Sequence, residues 1–127
     1  MSTHHIAILE DDAFFAGLYA RKFEQRGWRT TVVEEVDTLE RALEHHPDVL
    51  IVDIESDGYK ARDVVANLKA PESAYKGMPI IILTRTSDWK TVQRFMKLGV
   101  DAYLFKGHFV PSEVVEKVQR VLESRVV

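Results

Sequence analysis

Glu10-Asp11-Asp12, Asp53, Thr84 and Lys106 are the residues of this 127-residue chain whose types and setting could do chemistry. Each stands at the end of a short apolar run: His5–Leu9, Asp48–Asp53, Pro79–Leu83 and Ala102–Phe105. Three carboxylates brought to one place repel. Two unit charges ~4 Å apart interact by about 4 kcal/mol at an effective dielectric of about 20. Such a cluster takes up a proton or binds a cation. Oxygen ligands without sulfur or a nearby histidine favour Mg²⁺, which binds through one or two carboxylates plus phosphate. A divalent ion beside a carboxylate is a setting for phosphoryl chemistry. Asp53 would then be the nucleophile, forming an aspartyl-phosphate. Lys106 would pair with one phosphoryl oxygen and Thr84 would donate a hydrogen bond to another.

These residues meet only if the chain folds to converge them. Val49–Val52 is an unbroken apolar run closed by Asp53, the pattern of a strand buried on both faces. Strands are expected at His5–Leu9, Trp28–Val33, Asp48–Asp53, Pro79–Leu83 and Ala102–Phe105. Helix 1 is expected over Ala13–Arg26, with Phe14, Phe15, Leu18, Tyr19 and Phe23 recurring at helical spacing, Asp12 as its cap and Gly27 as its stop. Helix 2 is expected over Thr38–His45, with Asp37 and Glu40 at capping-box spacing. Helix 3 is expected at Ala61–Lys69, helix 4 at Asp88–Leu98 before Gly99, and helix 5 from Pro111 to about Ser124. Strict β-α alternation means a parallel sheet with helices on both faces and right-handed crossovers. The expected fold is a single doubly wound (βα)5 domain of order 2-1-3-4-5, with a core of about residues 5–124 and no effector domain in the chain. That order places strands 1 and 3 side by side, so Glu10, Asp11 and Asp53 converge, with Thr84 and Lys106 beside them.

Composition narrows the class. The chain has no cysteine, which excludes disulfides and thiolate metal sites. A formal charge of −3 argues against a nucleic-acid-binding surface. No apolar run approaches the ~18 residues of a membrane span, and the start carries no signal segment. The expectation is a cytoplasmic domain that touches neither membrane nor nucleic acid.

Taken in order, Ile-Leu-Glu10-Asp11-Asp12, Asp-Val-Leu-Ile-Val-Asp53, Pro-Ile-Ile-Ile-Leu-Thr84 and Gly-Val-Asp-Ala-Tyr103-Leu-Phe-Lys106 resemble the response-regulator receiver domain of two-component signalling, from about Ile6 to Leu122. The resemblance implies that Glu10, Asp11, Asp53 and the Glu55 backbone carbonyl hold Mg²⁺. It makes Asp53 the phosphoacceptor and gives Thr84 and Lys106 the phosphoryl contacts. It makes Tyr103 an aromatic switch coupled to Thr84, sets Glu55, Arg85 and Thr86 as residues tuning access, and puts output on the helix 4–strand 5–helix 5 face. The implied partners are a histidine kinase or histidine-phosphotransfer protein, with a homodimer or effector on the output face. Three features depart from the pattern. Gly107 follows Lys106 where proline is usual, Arg85 follows Thr84 where a small residue is usual, and the loop after Asp53 lacks the usual Met-Pro and Asp-Gly.

Two other readings compete. A pseudo-receiver would keep the fold as an interaction module without phosphorylation, and Arg85 and Gly107 favour it. A metal-dependent enzyme would use Glu10 and Asp53-x-Glu55 as a toprim-like nuclease or a phosphatase. Toprim domains show a glycine after the first glutamate, and phosphatases carry their nucleophile on the first strand; neither holds here. His4, His5, His45, His46 and His108 show no metal spacing and are expected at the surface. Trp89 and Phe95 are expected in helix 4 packing, with an exposed partner contact as the alternative for Trp89 at the helix start.

Overall fold

The computed structural model describes residues 3–56, 58–85, 88–106 and 111–124. Its elements are β1 (His5–Leu9), α1 (Ala13–Gln25), β2 (Arg29–Val33), a 3-10 turn at Val36–Thr38, α2 (Leu39–Leu43), β3 (Val49–Asp53), α3 (Ala61–Lys69), β4 (Ile80–Thr84), α4 (Trp89–Lys97), β5 (Ala102–Phe105) and α5 (Pro111–Glu123). The strands form one parallel sheet in the order β2-β1-β3-β4-β5.

The alternation of apolar side chains along each strand explains the two layers. Ala7, Leu9, Leu50, Val52, Ile80 and Ile82 face one side, with Leu43 of α2, Val65 and Leu68 of α3 and Phe95 of α4. Ile6, Ile8, Val49, Ile51, Ile81 and Leu83 face the other, with Tyr19 and Phe23 of α1 and Val114, Val115 and Val118 of α5. Each buried aliphatic side chain contributes roughly 1.5–3 kcal/mol. A one-residue slip would exchange the two sets of side chains, so register is strongly specified. In the observed register Leu9 pairs with Val52, Asp53 with Leu83 and Thr84 with Phe105. Glu10, Asp53, Thr84 and Lys106 are thereby brought to one edge.

Several expectations are corrected. Helix 2 is shorter and has no Asp37 cap. The Glu35 carbonyl accepts both the Thr38 amide at 3.0 Å and the Thr38 hydroxyl at 2.8 Å, closing a 3-10 turn that contains Asp37. The α-helix proper starts at Leu39 behind a Thr38 whose side chain makes no capping bond to it, and His46 leaves it with φ 53°. Trp28 lies between α1 and β2, tied back to α1: its amide donates to the Phe23 carbonyl and its ring stacks on Phe23. Asp48 precedes β3 because its carboxylate accepts the His5 amide at 2.7 Å. His5 is buried, not at the surface, and its ring Nε2 lies 2.7 Å from the Thr31 hydroxyl. Phe14 is 69% exposed, because the stripe of α1 that meets the sheet runs through Ala16, Tyr19, Ala20 and Phe23. Trp89 is exposed, the alternative reading for it, and Phe95 is in the core as expected.

Candidate functional site

The acids of the carboxyl edge are held by their own backbone. Asp12 caps α1, accepting from the Phe14 amide at 2.9 Å. The Asp12 amide donates to Glu10 Oε1 at 3.2 Å, which turns the Glu10 carboxylate back over the sheet edge. Glu10 is fully buried and Asp53 nearly so. Asp11 is exposed, and its Oδ2 accepts the Ser56 hydroxyl at 2.6 Å. Glu10, Asp11 and Asp53 each offer a carboxylate oxygen, and these atoms lie within 4.8 Å of one another.

Lys106 enters this cluster from the end of β5. Its Nζ lies 3.0 Å from Glu10 Oε2 and 3.1 Å from Asp53 Oδ1, with its side chain 4% exposed. It also lies 5.1 Å from the centroid of the Phe15 ring. Burial pushes the Glu10 carboxyl up to about 7; the Lys106 ammonium opposes the rise and Asp53 adds to it. The Glu10 Oε2 atom is buried, and the polar group nearest it in the cluster is the Lys106 ammonium, which Glu10 shares with Asp53. A buried acceptor left in this way beside two further carboxylates fits a hard divalent cation, for which an all-oxygen donor set is the appropriate chemistry. The acids, Glu55, Ser56, Arg85 and Lys106 line a cavity of about 140 Å³.

Thr84 ends β4 beside Asp53 and is fully buried. Its hydroxyl donates to Glu55 Oε1 at 2.7 Å, and the Arg85 amide donates to the same oxygen. Glu55 in turn donates its own amide to Asp53 Oδ1 at 3.1 Å. The Arg85 guanidinium rests 5.5 Å from the Phe15 centroid, at the rim of the cavity. Behind the acids the Tyr59 hydroxyl donates to the Asp53 carbonyl and lies 3.1 Å from that of Leu9, holding the loop after β3 against the ends of two strands.

The model of the response regulator receiver domain family matches residues 6–119. The chain belongs to this receiver family. Among curated relatives, the DNA-binding response regulator MtrA of Mycobacterium tuberculosis is 30% identical over 115 residues, covering 90% of this chain and 48% of that protein. The phosphate regulon transcriptional regulatory protein PhoB of Escherichia coli is 27% identical over 118 residues, covering 92% of this chain and 51% of that protein. The receiver chain thus spans about half the length of the curated relatives it matches. Among solved structures, a response regulator from Chloroflexus aurantiacus superposes with a TM-score of 0.85 at 23% identity, covering 96% of this chain and 99% of that one. The chemotaxis response regulator CheY4 of Vibrio cholerae gives 0.83 at 21%, covering 94% and 99%. These two likenesses are of fold.

In this receiver the four strand ends bring together Glu10, Asp11, Asp53 and Lys106, with Thr84 one residue past the Asp53–Leu83 pair. Tyr103 is half-buried on β5. Its ring meets Phe105 and Trp89 edge-on at 5.1 and 6.3 Å, and Lys117 of α5 lies 5.3 Å from its centroid. Lys117 is half-buried there. Thr86, Asp57, Gly107 and His108 lie outside the described residues. Among the described residues no helix is long and apolar enough to cross a membrane. Three participants escaped sequence reasoning, Ser56, Tyr59 and Phe15; Glu55 was named as a tuning residue, but its bonds to Thr84 and Arg85 were not. An acid two positions past Asp53, beside the strand that ends in Thr84, was the available signal for Glu55. Phe15 read only as an apolar helix residue.

Proposed function

We propose that this receiver is a phosphorylation-dependent switch whose acceptor is Asp53. The observation that carries the reading is the placement of Lys106 between the buried Glu10 and Asp53 carboxylates. A lysine so held costs conformational freedom and desolvation, which a phosphoryl-binding role explains and a surface lysine does not. An Asp53 carboxylate oxygen attacks the phosphorus of the donor. The bond from phosphorus to the donor breaks, and its electron pair leaves with the donor, an imidazole or a carboxylate. Glu10, Asp11, Asp53 and the Glu55 carbonyl would hold Mg²⁺, which when bound neutralises charge on the transferring group. Lys106 pairs with one phosphoryl oxygen, and the Thr84 hydroxyl donates to another.

The donor is a histidine kinase or a histidine-phosphotransfer protein, and the domain works in the cytoplasm without turning over an added substrate. Residues 1–127 act as one receiver domain with its core at about residues 5–124. Thr84 and Tyr103 form the switch, and Glu55, Arg85 and Thr86 tune the donor's access to the site. Output passes through α4, β5 and α5 to an effector or a second copy; exposed Trp89 and Met96 of α4 and half-buried Tyr103 of β5 belong to that face. No nucleic-acid contact is assigned to this domain, because the DNA-binding name belongs to relatives about twice its length. The test is intact mass after incubation with Mg²⁺ and acetyl phosphate. One added phosphoryl group per chain, absent when Mg²⁺ is chelated, supports the reading. An unchanged mass, with Mg²⁺ binding shown separately, favours the pseudo-receiver.

A further inference from the structure

We infer that the Glu55 side chain is a positioning residue that holds the Thr84 hydroxyl and the Arg85 amide in the resting chain and must release them before a phosphoryl group on Asp53 can take them. The inference rests on the phosphoacceptor reading above.

Two donors, the hydroxyl of Thr84 and the amide of Arg85, converge on one oxygen, Glu55 Oε1. Two adjacent donors aimed at one anionic oxygen make an oxyanion site. Here the anion is supplied by the chain itself. Glu55 reaches this site from the end of β3, while its own amide is bonded to Asp53 Oδ1 at 3.1 Å. One residue thus reads Asp53 with its backbone and the end of β4 with its carboxylate.

A hydroxyl has a single proton to donate. Thr84 cannot give it to Glu55 and to a phosphoryl oxygen at once. Nor can the Glu55 carboxylate stay beside a newly added dianionic group without repulsion. Phosphorylation therefore requires Glu55 to leave, and its departure frees the start of the β4–α4 connection at Arg85. Glu55 acts as a tethered stand-in for the phosphoryl group and favours the unphosphorylated state. Because Glu55 is solvent-exposed, the pair of bonds is worth about a tenfold bias, at the low end of hydrogen bonds to charged groups.

The test compares the full chain with Glu55→Ala and Glu55→Gln at saturating Mg²⁺, following phosphoryl uptake from acetyl phosphate by intact mass. Glu55→Ala should take up the group about tenfold faster, with Glu55→Gln, which keeps a neutral acceptor at the same reach, in between. In the unphosphorylated chain the Arg85 amide resonance should shift upfield in Glu55→Ala and partly recover in Glu55→Gln, a readout that general stability would not order in this way. Equal or slower uptake in Glu55→Ala, or an unmoved Arg85 amide, overturns the inference and leaves Asp53 as acceptor. No adduct in any of the three chains overturns the acceptor reading, and this inference with it.

Discussion

The two edges of the sheet use the same residue types for opposite ends. At the amino edge, Asp48 accepts the His5 amide at 2.7 Å and Asp101 accepts the Ile80 amide at 2.9 Å. Lys69 there donates to the Met78 carbonyl at 2.8 Å and sits 3.7 Å from Asp101. Each of these charges has a backbone partner and some contact with water. At the carboxyl edge Glu10 and Asp53 are buried against each other, and one ammonium lies between them. Glu10 and Asp53 must share that one ammonium, and no backbone amide reaches Glu10 Oε2. Acids that close backbone bonds are a means of starting strands. Acids buried against one another around a single cation hold free energy that a ligand can release. The contrast sets the carboxyl edge apart and supports the proposal that the site lies there.

Substitutions at the two edges should separate accordingly. The largest effect is expected for Lys106→Met, which leaves two buried carboxylates without a cation. Loss of about 3 kcal/mol in urea unfolding of the metal-free chain is expected, together with loss of phosphoryl uptake. A stability unchanged by the substitution would mean that Lys106 does not bind these acids in solution.

Next comes the pH dependence set by Glu10. Its folded carboxyl titrates at about 7 against an ordinary value of 4.5, so the folded chain holds this proton more tightly than the unfolded chain. The resulting stability is fully present below about pH 4.5 and is lost as pH rises through about 7. Metal-free melting temperature should therefore fall between pH 5 and 8 by this contribution, and Glu10→Gln should flatten the fall. A cation competes with the same proton, so Mg²⁺ affinity should rise by about tenfold from pH 6 to pH 8. An affinity independent of pH would remove Glu10 from the metal set.

The smallest effect is expected at the other edge. Asp48→Ala removes one acceptor from the His5 amide and should cost about 1–2 kcal/mol in unfolding free energy. It should leave Mg²⁺ affinity and phosphoryl uptake unchanged; altered uptake would show that the edges are coupled and blur the distinction drawn between them.

Much of this was legible in the residues. Apolar runs of four or five residues closed by a carboxylate, a threonine or a lysine mark parallel strands and identify which end of each carries chemistry. Alternation with helical segments then gives the sheet order, and the order brings Glu10 to Asp53. Directions of side chains in loops are not encoded in spacing. Glu55 was read for its backbone carbonyl and as a residue tuning access, but not as the carboxylate that binds Thr84 and Arg85. His5 looked like a terminal surface histidine, yet Asp48 and Thr31 pack it into the sheet edge. Helix 2 carried a capping-box spacing that the Glu35 carbonyl overrode by closing a tighter turn. In each case a tertiary or neighbouring hydrogen bond decided between local options that the sequence leaves nearly equal.

The most direct test of the central claim is to find where the phosphoryl group sits. The chain would be incubated with acetyl phosphate with and without Mg²⁺, the acyl phosphate trapped by borohydride reduction, and the modified residue located by peptide mass. The account predicts modification at Asp53 alone, dependent on Mg²⁺ and lost in Asp53→Asn. Modification at Asp11, at Asp12 or at a residue of the amino edge would contradict it.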